Sequence, residues 1–194
     1  MMKIKKVMCT GMLRYVVLSL LSSVLLSCSS RDNVRVNIEQ MLGSNVTIEE
    51  QKMEIWTHDN RKITNKNQSK KYTFLVYVDS TQCTPCFIKG LYEWNNLLKL
   101  ENSNKYSIAF LFIMQPRKGE TQMLRSKLDQ SDFMHPVFID INGAFELSNP
   151  QIPKEAMYHC FLLDGNKNII TVGNPARNES IKKLLLKTIN GSRK

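Results

Sequence analysis

Glycine and proline are scarce in this chain of 194 residues, which holds 8 and 6 of them. That scarcity excludes collagen-like and low-complexity sequences, which need far more of both. The chain also lacks an internal repeat, and it lacks an apolar run of the ~20 residues that a membrane-spanning helix requires. With 42% hydrophobic and 23% charged residues, the composition is typical of one folded domain with a short extension.

Acidic residues are also few, 17 against 27 Lys and Arg, which gives a formal net charge of +10. Four of the basic residues lie in an N-terminal segment without acids, and the charge falls to +6 when residues 1–27 are left out. The other basic residues are scattered and do not form the basic stripe with interleaved aromatics that a nucleic-acid groove needs. The sequence therefore predicts no nucleic-acid partner, and only a weak attraction to an anionic membrane surface.

The first 27 residues have the layout of a secretory signal, with positive charges over residues 1–14 and apolar residues over 15–26. They end at Leu25-Leu26-Ser27-Cys28, which resembles the lipobox of bacterial lipoproteins. That resemblance implies a lipoprotein signal peptide over residues 1–27. It also implies that Cys28 carries acyl chains, such as palmitate, that anchor the protein to a membrane. The alternative is an ordinary signal peptide with a chance cysteine at its end.

After the anchor, residues 28–49 are expected to be a tether and N-terminal extension, and residues 50–194 the folded domain. The segment Ser29-Ser30-Arg31-Asp32-Asn33 lacks the acidic run that is associated with surface-exported lipoproteins. We therefore expect a lipid-anchored protein of the bacterial cell envelope whose domain faces the periplasm.

The strongest secondary-structure signal is the run over residues 72–78, seven β-branched, aromatic or aliphatic residues without a break. Such a run is typical of a strand buried on both faces of a sheet that helices cover. The spacing of Phe87, Leu91 and Trp94 predicts an amphipathic helix over residues 84–100. The other predicted elements are helices over 36–42, 119–131 and 178–189, strands over 53–56, 106–114 and 136–139, and a hairpin of 157–163 with 169–172. Together they predict an α/β fold, a central mixed β-sheet flanked by helices on both faces.

Cys83-Thr84-Pro85-Cys86 stands where the first buried strand turns into a helix. A Cys-X-X-Cys pair is compatible with half of a zinc site, a structural disulfide or a redox centre. Zinc needs four ligands, but the chain has no second pair, and its three histidines are far apart in sequence. The sequence therefore predicts no metal.

The position of the pair favours the redox interpretation. Cys83 falls in the first turn of the predicted helix, where unpaired backbone N–H groups and the helix dipole favour a thiolate, the attacking species in disulfide exchange. Cys86, one turn later, is expected to face the helix interior and to close the ring by attacking the mixed disulfide. Pro85 suits an early helix position because its missing N–H has no partner there.

These residues resemble the thioredoxin superfamily, in particular the membrane-tethered thiol-disulfide oxidoreductases of the TlpA and ResA kind. The match covers about residues 50–190 and includes Pro136–Gly143, and also Phe161–Gly165 followed by Ile169-Ile170, where the family has a pattern written FLID-x-DG-x-I. The resemblance implies a thioredoxin-like fold and dithiol-disulfide exchange with protein thiols or disulfides of the envelope. It implies Cys83 as the nucleophile, Cys86 as the resolving cysteine, and no cofactor.

The sequence departs from the family pattern at two places. Tyr158 stands where active members carry a cis-proline, with His159 and Cys160 at the threonine positions that follow, and Gln82 replaces the aromatic residue before the first cysteine. A second hypothesis is therefore a non-catalytic lipoprotein that keeps the fold as a binding or scaffold module. A peroxiredoxin is disfavoured because residues 76–82 contain no proline.

Three further residues have two interpretations each. Cys160 is either a small core residue or a third thiol near Cys83. His159 is either a general base for a thiol or a solvated or hydrogen-bonded side chain at a strand end. Asp79 is either a proton acceptor in the exchange or a surface carboxylate at the end of its strand.

Overall fold

A computed structural model of the chain describes residues 32–58 and 70–191. The chain divides into two units, Met1–Glu39 and Gln40–Lys194. Residues 32–41 are helical (α1), and residues 40–49, which the sequence assigns to the extension, belong to the second unit. The predicted signal peptide and Cys28 lie outside the described residues, so the signal peptide, the lipid anchor and the predicted domain boundaries stay predictions.

The described residues form a mixed sheet of six strands in the order β1-β4-β3-β2-β5-β6. The central strands β2, β3 and β4 run parallel to one another, while β1, β5 and β6 are antiparallel to their neighbours. The strands are β1 (Glu54–Trp56), β2 (Tyr72–Val78), β3 (Ile108–Met114), β4 (Val137–Ile139), β5 (Cys160–Leu163) and β6 (Ile169–Val172).

Helices cover both faces of this sheet, as the sequence predicts. They are α2 (Thr84–Lys89), α3 (Asn95–Leu98), α4 (Thr121–Asp129), α5 (Ala144–Ser148) and α6 (Glu179–Asn190). Ile88 of α2, Leu124 of α4 and Leu185 of α6 share one buried cluster with Phe74 and Val76 of β2. On the opposite face, Tyr77 of β2 packs against Phe145 of α5 with ring centroids 4.7 Å apart. This burial of β2 on both faces explains its continuous apolar sequence.

The predicted continuous helix over residues 84–100 is wrong. Helix α2 ends at Lys89 with Gly90 as its C-cap, a 3₁₀ turn follows over Leu91–Trp94, and only then does α3 begin. Glycine is a weak helix former, and a 3₁₀ turn places residues three apart, here Leu91 and Trp94, on the same buried side.

The predicted strand over 157–163 begins later than expected, at Cys160. Ala156–Tyr158 instead form a 3₁₀ turn, in which the backbone N–H of Tyr158 donates to the Glu155 carbonyl and that of His159 to the Ala156 carbonyl. Short helix α5 was not predicted, because five residues are too few to show a helical period.

Residues 43–46 lie along the start of β6, at one edge of the sheet. The backbone N–H of Gly43 donates to the Ile169 carbonyl at 2.8 Å, and that of Ile169 donates to the Ser44 carbonyl at 2.9 Å. The N–H of Val46 reaches the Lys167 carbonyl at 2.9 Å. Part of the outer edge of β6 is therefore paired by this segment.

No helix within residues 32–58 and 70–191 is long and apolar enough to cross a membrane.

Candidate active site

A disulfide joins Cys83 and Cys86 at the beginning of helix α2, with their Cα atoms 5.3 Å apart. Cys83 is the N-cap residue: its backbone is extended, and its carbonyl accepts the N–H of Phe87 at 3.0 Å. Pro85 occupies the first helical turn, where its missing N–H costs no hydrogen bond. The structure thus places the pair at the strand-to-helix junction that the sequence predicts.

Both cysteines of the pair are exposed, and so is Pro85 between them. The expectation that Cys86 faces the helix interior is wrong. The positions that point inward are Thr84 and Ile88, four residues apart and therefore on the same side of the helix. Because the inner face is occupied by these two, both sulfurs are left on the solvent side, where another molecule can reach them.

Asp79 follows β2 and organises the turn that leads to Cys83. Its Oδ1 accepts the backbone N–H of Thr81 at 2.6 Å and the hydroxyl of Thr81 at 2.5 Å, and its Oδ2 accepts the amide of Gln82 at 3.2 Å. Asp79 is only 5% exposed, so the interpretation as a surface carboxylate is wrong. Burial alone would raise the pKa of Asp79, but the hydrogen bonds from Thr81 and Gln82 and the attraction to His159 together hold its pKa below the ordinary value.

His159 faces this turn from the residue before β5, and it is 3% exposed. Its Nε2 lies 2.9 Å from the Pro153 carbonyl oxygen. Its Nδ1 lies 3.2 Å from Asp79 Oδ2 and 3.4 Å from Gln82 Nε2. Of the two interpretations of His159, the structure therefore supports the hydrogen-bonded one, but as a buried residue and not a solvated one.

Sequence reasoning missed that Gln82 and His159 meet, although it singled out both positions as departures from the family pattern. The two residues are 77 positions apart in sequence. The antiparallel register of β2 with β5, in which Val76 pairs with Cys160, brings them together. Without a correct start for β5, this contact had no signal in the sequence.

Tyr158 and Cys160, on either side of His159, are both buried. Since Cys83 and Cys86 are exposed, Tyr158 does not seal them from solvent. Cys160 belongs to the main hydrophobic cluster and is a free thiol. Burial raises the pKa of the Cys160 thiol to about 12, an effect that the positive charge of Arg177 only partly offsets. These facts support the core interpretation of Cys160 over that of a third reactive thiol.

Two cavities flank the disulfide loop. One, of about 200 Å³, lies behind the turn and is lined by Tyr77, Asp79 and His159 together with Glu146 of α5. The other, of about 440 Å³, lies between α2 and the end of α4, where Pro85, Ile88 and the exposed Tyr92 line it. In the described part of the chain, no group of three or more His, Cys, Asp or Glu residues is arranged to hold a metal ion.

No protein-family model matches this chain, and no curated protein does. Solved structures do match it. One is named as a thiol:disulfide interchange protein, DsbE, from Chlorobium tepidum; it superposes with a TM-score of 0.51 at 16% identity, over 76% of this chain and 97% of that one. A thioredoxin-like superfamily protein superposes with a TM-score of 0.50 at 13% identity, over 78% of this chain and 97% of that one. These likenesses confirm the predicted fold class: the chain has a thioredoxin-like α/β fold.

Proposed function

We propose that this chain, with its thioredoxin-like fold, is a thiol-disulfide oxidoreductase that exchanges electrons with other proteins of the bacterial cell envelope. The observation that carries the proposal is the exposed Cys83–Cys86 disulfide at the beginning of α2. A disulfide that serves only stability gains little from closing a loop of so few residues, because the entropy removed from the unfolded chain grows with loop length. An exposed, short-range disulfide is better suited to exchange.

The exchange balances as two displacements at sulfur. The Cys83 thiolate attacks one sulfur of a partner's disulfide, which forms a Cys83–partner bond and releases the other partner sulfur as a thiolate. The Cys86 thiolate then attacks the Cys83 sulfur, which closes the Cys83–Cys86 bond and releases the second partner thiolate. The partner's disulfide gains two electrons and this chain's dithiol loses two, and the reverse sequence reduces the Cys83–Cys86 disulfide.

The proposal includes a membrane anchor. The lipobox-like end of the leader supports lipidation of Cys28, and the non-acidic segment after it supports a domain that faces the periplasm. In cells fed an alkyne-bearing palmitate analogue, the wild-type chain should be labelled and sediment with membranes. The Cys28→Ser variant should lose the label, and an equal label on both chains would contradict the anchor.

The exchange itself is tested with a trapping variant, Cys86→Ser, which cannot complete the second displacement. We expect the full chain with this substitution to form a stable mixed disulfide with glutathione disulfide, and with the disulfides of insulin as a model protein, through Cys83. The matched control carries both Cys83→Ser and Cys86→Ser and keeps Cys160; it should trap neither probe.

The wild-type pair should also reach a measurable redox equilibrium with glutathione. A pair that resists dithiothreitol and a Cys86→Ser variant that traps neither probe would contradict the proposal. That result would support the second hypothesis, in which the fold is a binding or scaffold module.

A further inference from the structure

Three polar side chains meet directly behind Cys83: those of Asp79, Gln82 and His159. We refer to them as the polar cluster. Gln82 Nε2 lies 3.2 Å from Asp79 Oδ2 and 3.4 Å from His159 Nδ1. Asp79 and His159 are almost fully buried, and Gln82 is the residue that immediately precedes Cys83. The cluster thus connects the first cysteine of the pair to the interior.

The obligate acceptors around the cluster fix the direction of two of its hydrogen bonds. A carbonyl oxygen only accepts, so His159 Nε2 carries the hydrogen that it donates to Pro153. The Gln82 amide donates to Asp79 Oδ2, and His159 Nδ1 lies 3.2 Å from the same oxygen and 3.4 Å from Gln82 Nε2, so the carboxylate joins the two side chains. The opposite orientation of the amide would bring its oxygen against the Asp79 carboxylate, which only accepts. Gln82 is therefore held by the Asp79 carboxylate, next to the His159 ring.

The far side of the cluster is fixed to the sheet. The backbone N–H of Tyr77, in β2, donates to the His159 carbonyl at 2.8 Å, and the rings of Tyr77 and His159 pack with centroids 5.1 Å apart. The turn before Cys83 has its own backbone bond, from the N–H of Gln82 to the Asp79 carbonyl at 3.2 Å. Through Gln82, the exposed cysteine loop is tied to the central strand β2.

We propose that Gln82 and His159 are positioning residues for the disulfide exchange: their contact holds the backbone of Cys83 so that its sulfur stays within reach of Cys86. This inference rests on the proposed function. In this role both residues act through the backbone of Cys83. When the disulfide opens, the anchored loop keeps the two thiols close, which raises their effective concentration and favours closure of the ring.

The test is the equilibrium constant between the Cys83–Cys86 pair and glutathione, measured in the full chain. In Gln82→Met, which keeps the length of the side chain and removes its donors, we expect disulfide formation to become about tenfold less favourable, a shift of about 30 mV in potential. His159→Asn should give a similar change. Because both substitutions remove the same Gln82–His159 contact, the effect of the double variant should be little larger than that of either single variant.

Two controls separate positioning from general stability. His135 has equivalent partners, since its Nε2 lies 3.0 Å from Glu101 Oε2 and its Nδ1 lies 3.1 Å from the Pro136 carbonyl. It precedes β4, which runs parallel to β2, whereas Asp79 follows β2, so the two residues lie at opposite ends of their parallel strands. His135→Asn should lower the unfolding midpoint without moving the glutathione equilibrium. Gln122→Met, at an exposed position of α4, should change neither quantity.

The outcomes distinguish the two proposals. If the wild-type pair fails to equilibrate with glutathione, the proposed function fails and the positioning role fails with it. If the wild type equilibrates but Gln82→Met and His159→Asn remain within twofold of it, only the positioning role is overturned. Additive effects in the double variant would also overturn it, because independent contributions mean that the Gln82–His159 contact is not what holds Cys83.

Discussion

The three described cysteines occupy two contrasting environments. Cys83 and Cys86 are exposed at the beginning of α2, whereas the Cys160 thiol is buried, with its pKa raised to about 12. Reactivity of a thiol depends on the thiolate fraction and on access, and Cys160 lacks both. The structure therefore separates two reactive positions from one inert position within the same domain.

We expect this separation to be visible in alkylation. After reduction of the native full chain, iodoacetamide should modify Cys83 and Cys86 at rates within about tenfold of each other, and Cys160 at least about a hundredfold more slowly. The rates are obtained by peptide mapping in a mass spectrometer over a time course. In denaturant all three should react alike. If Cys86 reacted as slowly as Cys160, the exposed position of Cys86 would be contradicted.

At the scale of single residues, the sequence predicts the chemistry of the Cys83–Cys86 pair better than it predicts which side chains surround the pair. The type and spacing of Cys83 and Cys86 are local information, and the structure places them at the predicted junction. The inward roles of Asp79 and His159 depend on which strand lies beside β2 and in what register. A register is a property of the folded sheet, so single residues could not reveal it.

Among the elements, helix α5 begins after Gly143, and the surroundings of that residue require both its backbone conformation and its lack of a side chain. Gly143 has φ of +67°, and a Cβ there would come within 2.8 Å of the Gln115 side chain. That side chain accepts the hydroxyl of Tyr77 at 2.5 Å. Asp140 fixes the next residues, since its carboxylate accepts the N–H groups of Ala144 and Phe145. Gly143 is thus needed both for its backbone angle and for its lack of a side chain.

We predict that Gly143→Ala lowers the free energy of unfolding by about 2–3 kcal/mol, roughly 1 from the left-handed backbone and the rest from the lost Tyr77–Gln115 hydrogen bond. Denaturant unfolding of the full chain measures it. Gly119→Ala is the matched control, because Gly119 has φ of +83° with nothing within 4 Å. It should cost only about 1 kcal/mol, from the backbone alone. Equal losses in the two variants would refute the role of Gln115.

The elements also show where sequence patterns reach their limit. The long strands β2 and β3 were predicted within two residues, because seven consecutive β-branched, aromatic or aliphatic residues leave little ambiguity. The break after α2 was not predicted, since apolar spacings of three and four residues fit a continuous α-helix as well as α-helix and 3₁₀ segments. Packing against the sheet, and not the local pattern, decides between the two.

For the molecule as a whole, the order of strands and helices was enough to predict the fold class. Strand, helix and strand in succession imply parallel pairing with a helical crossover, and a final hairpin adds antiparallel strands. Both features appear in the sheet, where β2 and β3 are parallel and β5 and β6 antiparallel. The order of the elements is enough to predict this arrangement. Errors of a few residues at the ends of individual strands and helices therefore did not change the predicted fold class.

Global stability should decrease at alkaline pH, and Cys160 should account for a defined part of the decrease. The pKa of its thiol is raised from 9.0 to about 12 by burial in the folded chain. Because the pKa is higher in the folded chain than in the unfolded chain, the thiol contributes fully to the free energy of unfolding at a pH below the pKa of the unfolded chain. That contribution is lost as the pH rises towards the pKa of the folded chain. Between pH 9 and 12 the contribution should therefore fall by about 1.4 kcal/mol per pH unit.

The measurement compares the free energy of unfolding of two chains by denaturant titration from pH 7 to 11. In both chains the other four cysteines are replaced by serine; one chain keeps Cys160 and the other carries Cys160→Ala. The variant's cavity lowers stability by an amount independent of pH. The difference between the two chains should therefore be constant up to about pH 8.5 and shrink above it. Parallel curves over the whole range would show that Cys160 does not remain protonated in the fold.

The segment over residues 43–46, which lies along the start of β6, has a consequence for how the protein can be handled. An uncovered strand edge offers free N–H and C=O groups to any other chain, and proteins that leave such an edge open tend to aggregate. A chain cut at residue 50, where the sequence alone would start the domain, would keep the whole sheet but lose this cover. We therefore expect such a truncated chain to aggregate more readily than the full chain, because the start of β6 would be open to pairing with a second copy.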